Sequence, residues 1–185
     1  MPSFDPPRIP PEPLDAAALR TRLDWDDARL LAECDVHLHR TGGPGGQHRN
    51  KVASAVRLVH RPSGFTVTAT ERRSQHENRA NALKRLREAI AIGIRQPPPD
   101  PIRWPPSVQL RDRRLRVSPE NPALWWVLAV ALDCVAASNG DVPAAAERLG
   151  VTPSSLTRFL AGHPKAWLEL NRLRTAAGRS PLRAP

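Results

Sequence analysis

Cysteine is scarce in this chain. Its 185 residues hold two, Cys34 and Cys134. They lie far apart and form no Cys-x-x-Cys pair, which excludes a disulfide framework and fits a reducing cytoplasm. Metal chemistry is poorly supplied with ligands too. His37 and His39 beside Cys34 are the nearest approach to a cluster, and surface or hydrogen-bonded histidines explain them better. Long hydrophobic runs are also missing. The longest, Trp125 to Ala137, has the length of a buried helix, is too short for a bilayer and is interrupted by Asp133. The N-terminal residues lack the apolar stretch of a secretory signal. No internal repeat is visible.

Positive charge, in contrast, is plentiful. The formal net charge is +10 and the pI about 11.3, a balance that points to a polyanionic partner, commonly nucleic acid. The charge is uneven. Residues 1–33 hold four arginines against seven acids, whereas residues 34–95 hold twelve Lys and Arg against four. Residues 96–185 hold twelve against seven.

Periodicity suggests the organisation. Residues 1–13 contain six prolines and read as a disordered N-terminus. Residues 14–33 read as supporting helices, with Leu14, Leu19, Leu23, Leu30 and Leu31 at helical spacing and Asp24 as a candidate cap. Val36 and Leu38 alternate with His37 and His39 in a short strand. Val56 to His60 and Phe65 to Thr70 read as a hairpin turning at Pro62-Ser63-Gly64. Ser74-Gln-His-Glu77 is a capping-box pattern that opens a helix to about Ile94, with Leu83, Leu86 and Ile90 as its apolar stripe. Residues 96–122 hold eight prolines and a basic run, Arg111 to Arg116, and read as a semi-rigid linker. Residues 123–185 read as an all-α module. Asp141 and Thr152 are its cap candidates, and two short helices joined at Gly150 resemble a helix-turn-helix. The expected fold class is α+β: a small mixed β-sheet with a long packed helix and a protruding Gly-Gly-Gln loop over residues 34–95, then the helical module.

The most specific segment is Arg40-Thr-Gly-Gly-Pro-Gly-Gly-Gln-His-Arg-Asn-Lys51. Glycine belongs where backbone takes positive φ or approaches another molecule closely. A phosphate-binding P-loop does not fit, because no Gly-Lys-Ser/Thr follows. A plain flexible hairpin tip is the bland alternative.

The flanking residues decide. Arg40-x-x-Gly-x-Gly-Gly-Gln47-x-x-Asn50-Lys51, Pro62-Ser63-Gly64 and Arg73-Ser74-Gln75-x-x-Asn78 together resemble the peptidyl-tRNA hydrolase domain of class I peptide chain release factors, from about Cys34 to Ile94. Gly42 departs from the serine usual in that family. The resemblance implies hydrolysis, by water, of the ester joining a nascent peptide to P-site tRNA. The Gln47 main-chain amide would stabilise the tetrahedral oxyanion, and its side chain would admit water and exclude larger nucleophiles. Gly45 and Gly46 would give that amide its backbone geometry. The family glutamine is commonly N5-methylated, so Gln47 is a candidate modification site and a glutamine methyltransferase a candidate partner. His48 invites a general-base role, but the family mechanism assigns no base there.

The same resemblance implies large-subunit ribosomal RNA (23S-type) as partner. Arg40, His48, Arg49, Asn50, Lys51, Arg57, Arg72, Arg73, Gln75 and Arg79 are the candidate RNA-binding residues, and Arg61 is a further basic candidate. No cofactor, metal or membrane is called for, and the expected state is a cytoplasmic monomer. Codon-reading members carry a large region before the loop and a Pro-x-Thr or Ser-Pro-Phe signature. Only 41 residues precede Gly42, and neither tripeptide occurs. The chain therefore looks most like the short, codon-independent members that rescue stalled ribosomes. Those end in a basic unstructured tail, for which Arg111 to Arg116 is the nearest substitute. The alternative is a non-enzymatic DNA- or RNA-binding regulator led by the helix-turn-helix-like module. Ser154, Ser155, Thr157 and Arg158 would then face the nucleic acid.

Overall fold

A computed structural model describes residues 15–40 and 54–184. Among them are seven α-helices and three strands. The chain divides into two compact units, Met1–Leu19 with Trp25–Leu86, and Arg20–Asp24 with Arg87–Pro185.

Helix α1 (Ala16–Arg20) leads through a 3-10 turn, Thr21–Asp24, which belongs to the second unit, to α2 (Asp27–Ala32) in the first. The cap of α2 is Asp26, not Asp24: Asp26 has extended backbone and accepts from the Arg29 amide at 2.8 Å. It lies three residues before Arg29, the spacing an N-cap carboxylate needs. Strands β1 (Cys34–His39), β2 (Ala55–His60) and β3 (Thr66–Ala69) form a sheet in that order. Every pairing is antiparallel, so the sheet is not mixed. The short β2–β3 turn closes at Gly64, whose φ of +70° suits glycine, and consecutive strands joined this tightly must run antiparallel.

Alternation along β2 buries Val56 and Leu58 and exposes Arg57. Helix α3 (Gln75–Gly93) opens where Ser74 Oγ accepts from the Glu77 amide at 3.3 Å. Ala82, Leu83 and Leu86 on α3 are buried, as are Val56, Leu58 and Ala69 on the sheet. Arg85 donates to the Thr68 carbonyl of β3 and pairs with Glu71, tying helix to sheet.

The second unit is built around α4 (Leu124–Ala137), with α5 (Val142–Arg148), α6 (Pro153–Ala161) and α7 (Pro164–Ala176). Asp141 caps α5 and Thr152 caps α6, each accepting from an amide three residues on. Gly140 takes φ +70°, and a Cβ there would lie 2.8 Å from the Cα of Arg174. Glycine thus permits the close approach of the α4 end to α7.

Asp133, the polar break in the apolar run, is buried between two arginines. Arg20 lies at 2.6 Å and Arg95 at 2.9 Å, and the Gln96 amide donates at 3.3 Å. Burial lowers the Arg20 pKa to about 10, and burial raises that of Asp133 against the pull of both guanidinium groups.

The proline-rich stretch departs from the linker expected of it. Val108 and Leu115 are buried in the helical core, and Ile102, Trp104, Leu110 and Val117 pack against that core. The basic run is folded as well. Arg111 bridges Arg114 around a turn in which Asp112 and Arg113 have φ of 51° and 56°. The Arg113 carbonyl accepts from the Thr152 amide at 2.9 Å, and the Leu115 amide donates to Ser155 Oγ at 2.7 Å. Arg111 to Arg116 is therefore a docked hairpin rather than an unstructured tail. Ser155 is buried beneath it, so Ser155 does not face a nucleic acid as the helix-turn-helix expectation had it.

Candidate catalytic loop and its scaffold

Gly45, Gly46 and Gln47 lie outside the described residues, as do His48, Arg49, Asn50 and Lys51. The scaffold at both ends of their segment is described. His39 at the end of β1 pairs with Ala55 at the start of β2. Opposed residues of an antiparallel pair have Cα atoms about 4.5–5.5 Å apart. Residues 40–54 thus join two strand ends held side by side.

Asn78 anchors the second end. It is fully buried on α3, and its amide makes three backbone hydrogen bonds. Nδ2 donates to the Ser54 carbonyl at 2.7 Å and to the Arg72 carbonyl at 2.8 Å. Oδ1 accepts from the Arg72 amide at 2.9 Å. That amide can only donate, which fixes the orientation of the side chain. Ser54 immediately precedes β2, so one asparagine sets the entry to β2 against the β3–α3 turn. Sequence pattern assigns Asn78 no role in RNA contact. Its place in Arg73-Ser74-Gln75-x-x-Asn78, one turn into a capped helix, is the signal that marks it.

Among the candidate RNA contacts, Arg40, Arg57, Arg72 and Arg73 are exposed. Their guanidinium groups make no hydrogen bond or ion pair among the described residues. Arg57 stands on the open face of the sheet with His37 and Thr68 as cross-strand neighbours. Arg72 and Arg73 occupy the turn that Asn78 braces. Gln75 is partly buried as the first residue of α3. Arg79 is partly buried and its Nε is enclosed without a partner. Arg61 is engaged internally, donating to Asp35 at 2.9 Å and to the Ala32 carbonyl at 2.6 Å. The structure thus groups Arg72 and Arg73 by the Asn78 anchor and Arg57 with His37, and withdraws Arg61.

The described residues of this unit offer poor nucleophiles. Cys34 is buried, its thiol donates to the Leu30 carbonyl at 3.4 Å, and burial pushes its pKa up to about 11. In the other unit burial pushes the Cys134 thiol up to about 12. Neither is a thiolate at neutral pH. His60 is fully buried with both ring nitrogens in use, Nδ1 at 2.7 Å from Ser63 Oγ and Nε2 at 3.1 Å from Glu33 Oε2. It braces the β2–β3 turn and is closed to substrate. Among the described residues, no three His, Cys, Asp or Glu side chains converge as metal ligands would. No helix among them is long and apolar enough to cross a membrane.

Comparison with known proteins agrees with this layout. The RF-1 domain matches residues 31–100, from α2 through the strands and α3. Peptide chain release factor 1 of Caldicellulosiruptor bescii is 53% identical over 58 residues, 31% of this chain and 16% of that protein. Peptide chain release factor 1 of Granulibacter bethesdensis is 52% identical over 83 residues, 45% of this chain and 24% of that protein. The mitochondrial peptide chain release factor 1 of Arabidopsis thaliana is 44% identical over 72 residues, 38% of this chain and 17% of that protein. The matches thus span a quarter or less of these relatives' length. Over residues 31–100 the chain matches the RF-1 domain and is similar there to peptide chain release factors.

Proposed function

We propose that this protein hydrolyses peptidyl-tRNA on the ribosome and releases the nascent chain without reading a stop codon. The observation that carries the reading is the Gly-Gly-Gln tract of the RF-1 domain, inserted between the paired ends of β1 and β2. Water attacks the ester carbonyl carbon. The carbonyl oxygen gains negative charge in the tetrahedral intermediate, and the Gln47 main-chain N–H donates to it. The C–O bond to the tRNA ribose then breaks. The ribose oxygen leaves with one of the water's protons, the other passes to solvent, and the peptide departs as a carboxylate. A preorganised donor of this kind contributes about 10²–10³ in rate. No protein nucleophile enters the sequence of steps, in keeping with the buried thiols. Gly45 and Gly46 have no side chain that could obstruct the amide.

Large-subunit ribosomal RNA is the surface against which Arg40, Arg57, Arg72 and Arg73 act, by neutralising phosphates. Gln47 is the proposed substrate of an N5-glutamine methyltransferase. The working form is a cytoplasmic monomer. Codon independence is supported by the lack of a Pro-x-Thr or Ser-Pro-Phe tripeptide in the chain.

The test adds purified protein to ribosomes stalled on truncated, sense-codon and stop-codon messages and measures peptide released. Release on truncated messages, with no gain from a stop codon, is expected. Release on none of the three refutes hydrolysis, and release confined to stop codons refutes codon independence.

A further inference from the structure

The docked basic hairpin and α6 enclose between them a cleft of about 790 Å³, wholly within the helical unit. That volume lies in the range of built ligand sites, roughly 300–1,000 Å³. Its wall carries three arginines, Arg114, Arg116 and Arg158, against one carboxylate, Asp112. All three arginines are exposed, and their guanidinium groups make no hydrogen bond or ion pair among the described residues. Ser154 adds a hydroxyl at the rim, and Leu115, Val117 and Phe159 give an apolar floor.

Cations held unpaired around an apolar floor suit a ligand with repeated anionic groups and flat apolar faces. Single-stranded nucleic acid has both: phosphates for the guanidinium groups and bases for the floor. An acidic peptide matches the charge but offers less apolar surface to the Leu115, Val117 and Phe159 side of the cleft, where Val117 is the most exposed of the three.

A duplex fits poorly. A helix-turn-helix inserts the N-terminal residues of its second helix into a major groove about 12 Å wide. Here the hairpin is docked against that end of α6, although Pro153 and Ser154 stay exposed. The hairpin is held to it by the Thr152 amide to the Arg113 carbonyl at 2.9 Å and by the Leu115 amide to Ser155 Oγ at 2.7 Å. Ser155, which a groove-reading helix would present, is 8% exposed.

We infer that the cleft between the Arg111–Arg116 hairpin and α6 binds single-stranded RNA, with Arg114, Arg116 and Arg158 on the phosphates. The choice of RNA over DNA rests on the proposed ribosomal function; the single-stranded preference rests on the cleft alone.

The test measures binding of a short fluorescent single-stranded RNA to the full chain by anisotropy across a salt series. The variant Arg114→Ala/Arg116→Ala/Arg158→Ala is compared with a charge-matched control, Arg103→Ala/Arg111→Ala/Arg183→Ala, whose residues are exposed outside the cleft. Melting curves establish that both variants fold. Each single-strand phosphate contact contributes about 0.7 to the slope of log affinity against log salt, so the cleft variant should flatten that slope by about 2. Its affinity near 50 mM salt should fall at least about tenfold, and the control's by much less. Equal losses in the two variants overturn the inference. So does tighter binding of duplex DNA, or displacement of the RNA by an oligoglutamate peptide at equal charge.

Peptide release is measured on the same proteins. A wild-type chain that binds RNA through the cleft but releases no peptide contradicts the proposed hydrolysis and leaves the cleft standing. Release without cleft-dependent binding overturns the cleft alone.

Discussion

The two units of this chain separate the candidate chemistry from robustness. In the RF-1 unit, five of the six residues of β1 are exposed, including Val36 and Leu38 at 38% and 47%. The anchor of its loop is one asparagine side chain. In the helical unit, ten of the fourteen residues of α4 are buried, and the burial extends to a carboxylate between two arginines. The recognisable motif thus sits on the thinner core. Residues that must meet a partner are free of packing constraints, and their identity reports chemistry. Residues enclosed by helices report volume and polarity, and their identity reports little about function.

The sharpest way to break this comparison is Gln47→Pro beside Gln47→Ala. Proline deletes the main-chain N–H and alanine keeps it. Proline should lower peptide release by at least about 100-fold, while alanine leaves measurable hydrolysis. Both variants should melt with the wild type. Equal release by the two would remove the amide from the mechanism and leave the RF-1 unit without its assigned chemistry.

Asp133→Ala is next in size and should act the opposite way, on stability. It strands Arg20 and Arg95 in the core of the helical unit, and breaking a buried ion pair by removing one partner costs about 3–5 kcal/mol. Urea denaturation reads the loss. Replacing all three residues with apolar ones of similar volume should recover most of it. A loss under about 1 kcal/mol, the range of exposed pairs, would mean that water reaches the triad.

Asn78→Ala should be milder in stability and still reach function. It leaves the Ser54 and Arg72 carbonyls and the Arg72 amide without their partner, at about 1–3 kcal/mol. Hydrogen exchange at the Arg72 amide should accelerate, and release should fall if the proposed function holds, because the second end of the candidate catalytic segment is no longer anchored. Asn78→Asp keeps the acceptor and loses both donors, so it should be intermediate in exchange rate. Unchanged exchange in both variants would show that the strands alone hold that end.

Much of this architecture was legible because local physics dictated it. The β2–β3 hairpin, the Ser74 start of α3 and the Asp141 and Thr152 caps each follow from residue type and spacing over three or four positions. The α2 cap was displaced to Asp26 because Asp24, Asp26 and Asp27 offer the same side chain within one turn, and only backbone geometry selects among them. The Arg111–Arg116 hairpin was hidden because Asp112 and Arg113 adopt positive φ without the Asn-Gly or Gly-Gly signature of such turns. Asp133 was visible as a break in an apolar run. Its partners were not, since Arg20 and Arg95 lie 113 and 38 residues away in sequence. The motif of the candidate site was readable in full, but Asn78 became an anchor only once Ser54 and Arg72 were seen to share it.

The smallest expected effect concerns acid, and it belongs to the helical unit alone. His163 is the partly buried N-cap of α7 and lies edge-on to Phe159, with ring centroids 5.3 Å apart. Burial holds its imidazole below the ordinary histidine value, with Glu88 pulling weakly the other way. Glu88 is itself occupied by Lys165 at 2.6 Å, and a helix N-terminus disfavours added positive charge. In the unfolded chain this histidine protonates at its ordinary pKa; in the folded chain it does so only at lower pH. Over that window the unfolded state binds more protons. Stability is therefore intact above the ordinary value and declines as pH falls through it towards the folded value. His163→Gln does not titrate. The difference in melting temperature between variant and wild type should shift in the variant's favour between about pH 7 and pH 5, where histidine changes charge. Parallel melting temperatures across that range would mean that His163 is as easily protonated folded as unfolded. The acid sensitivity of the helical unit would then have to come from its carboxylates.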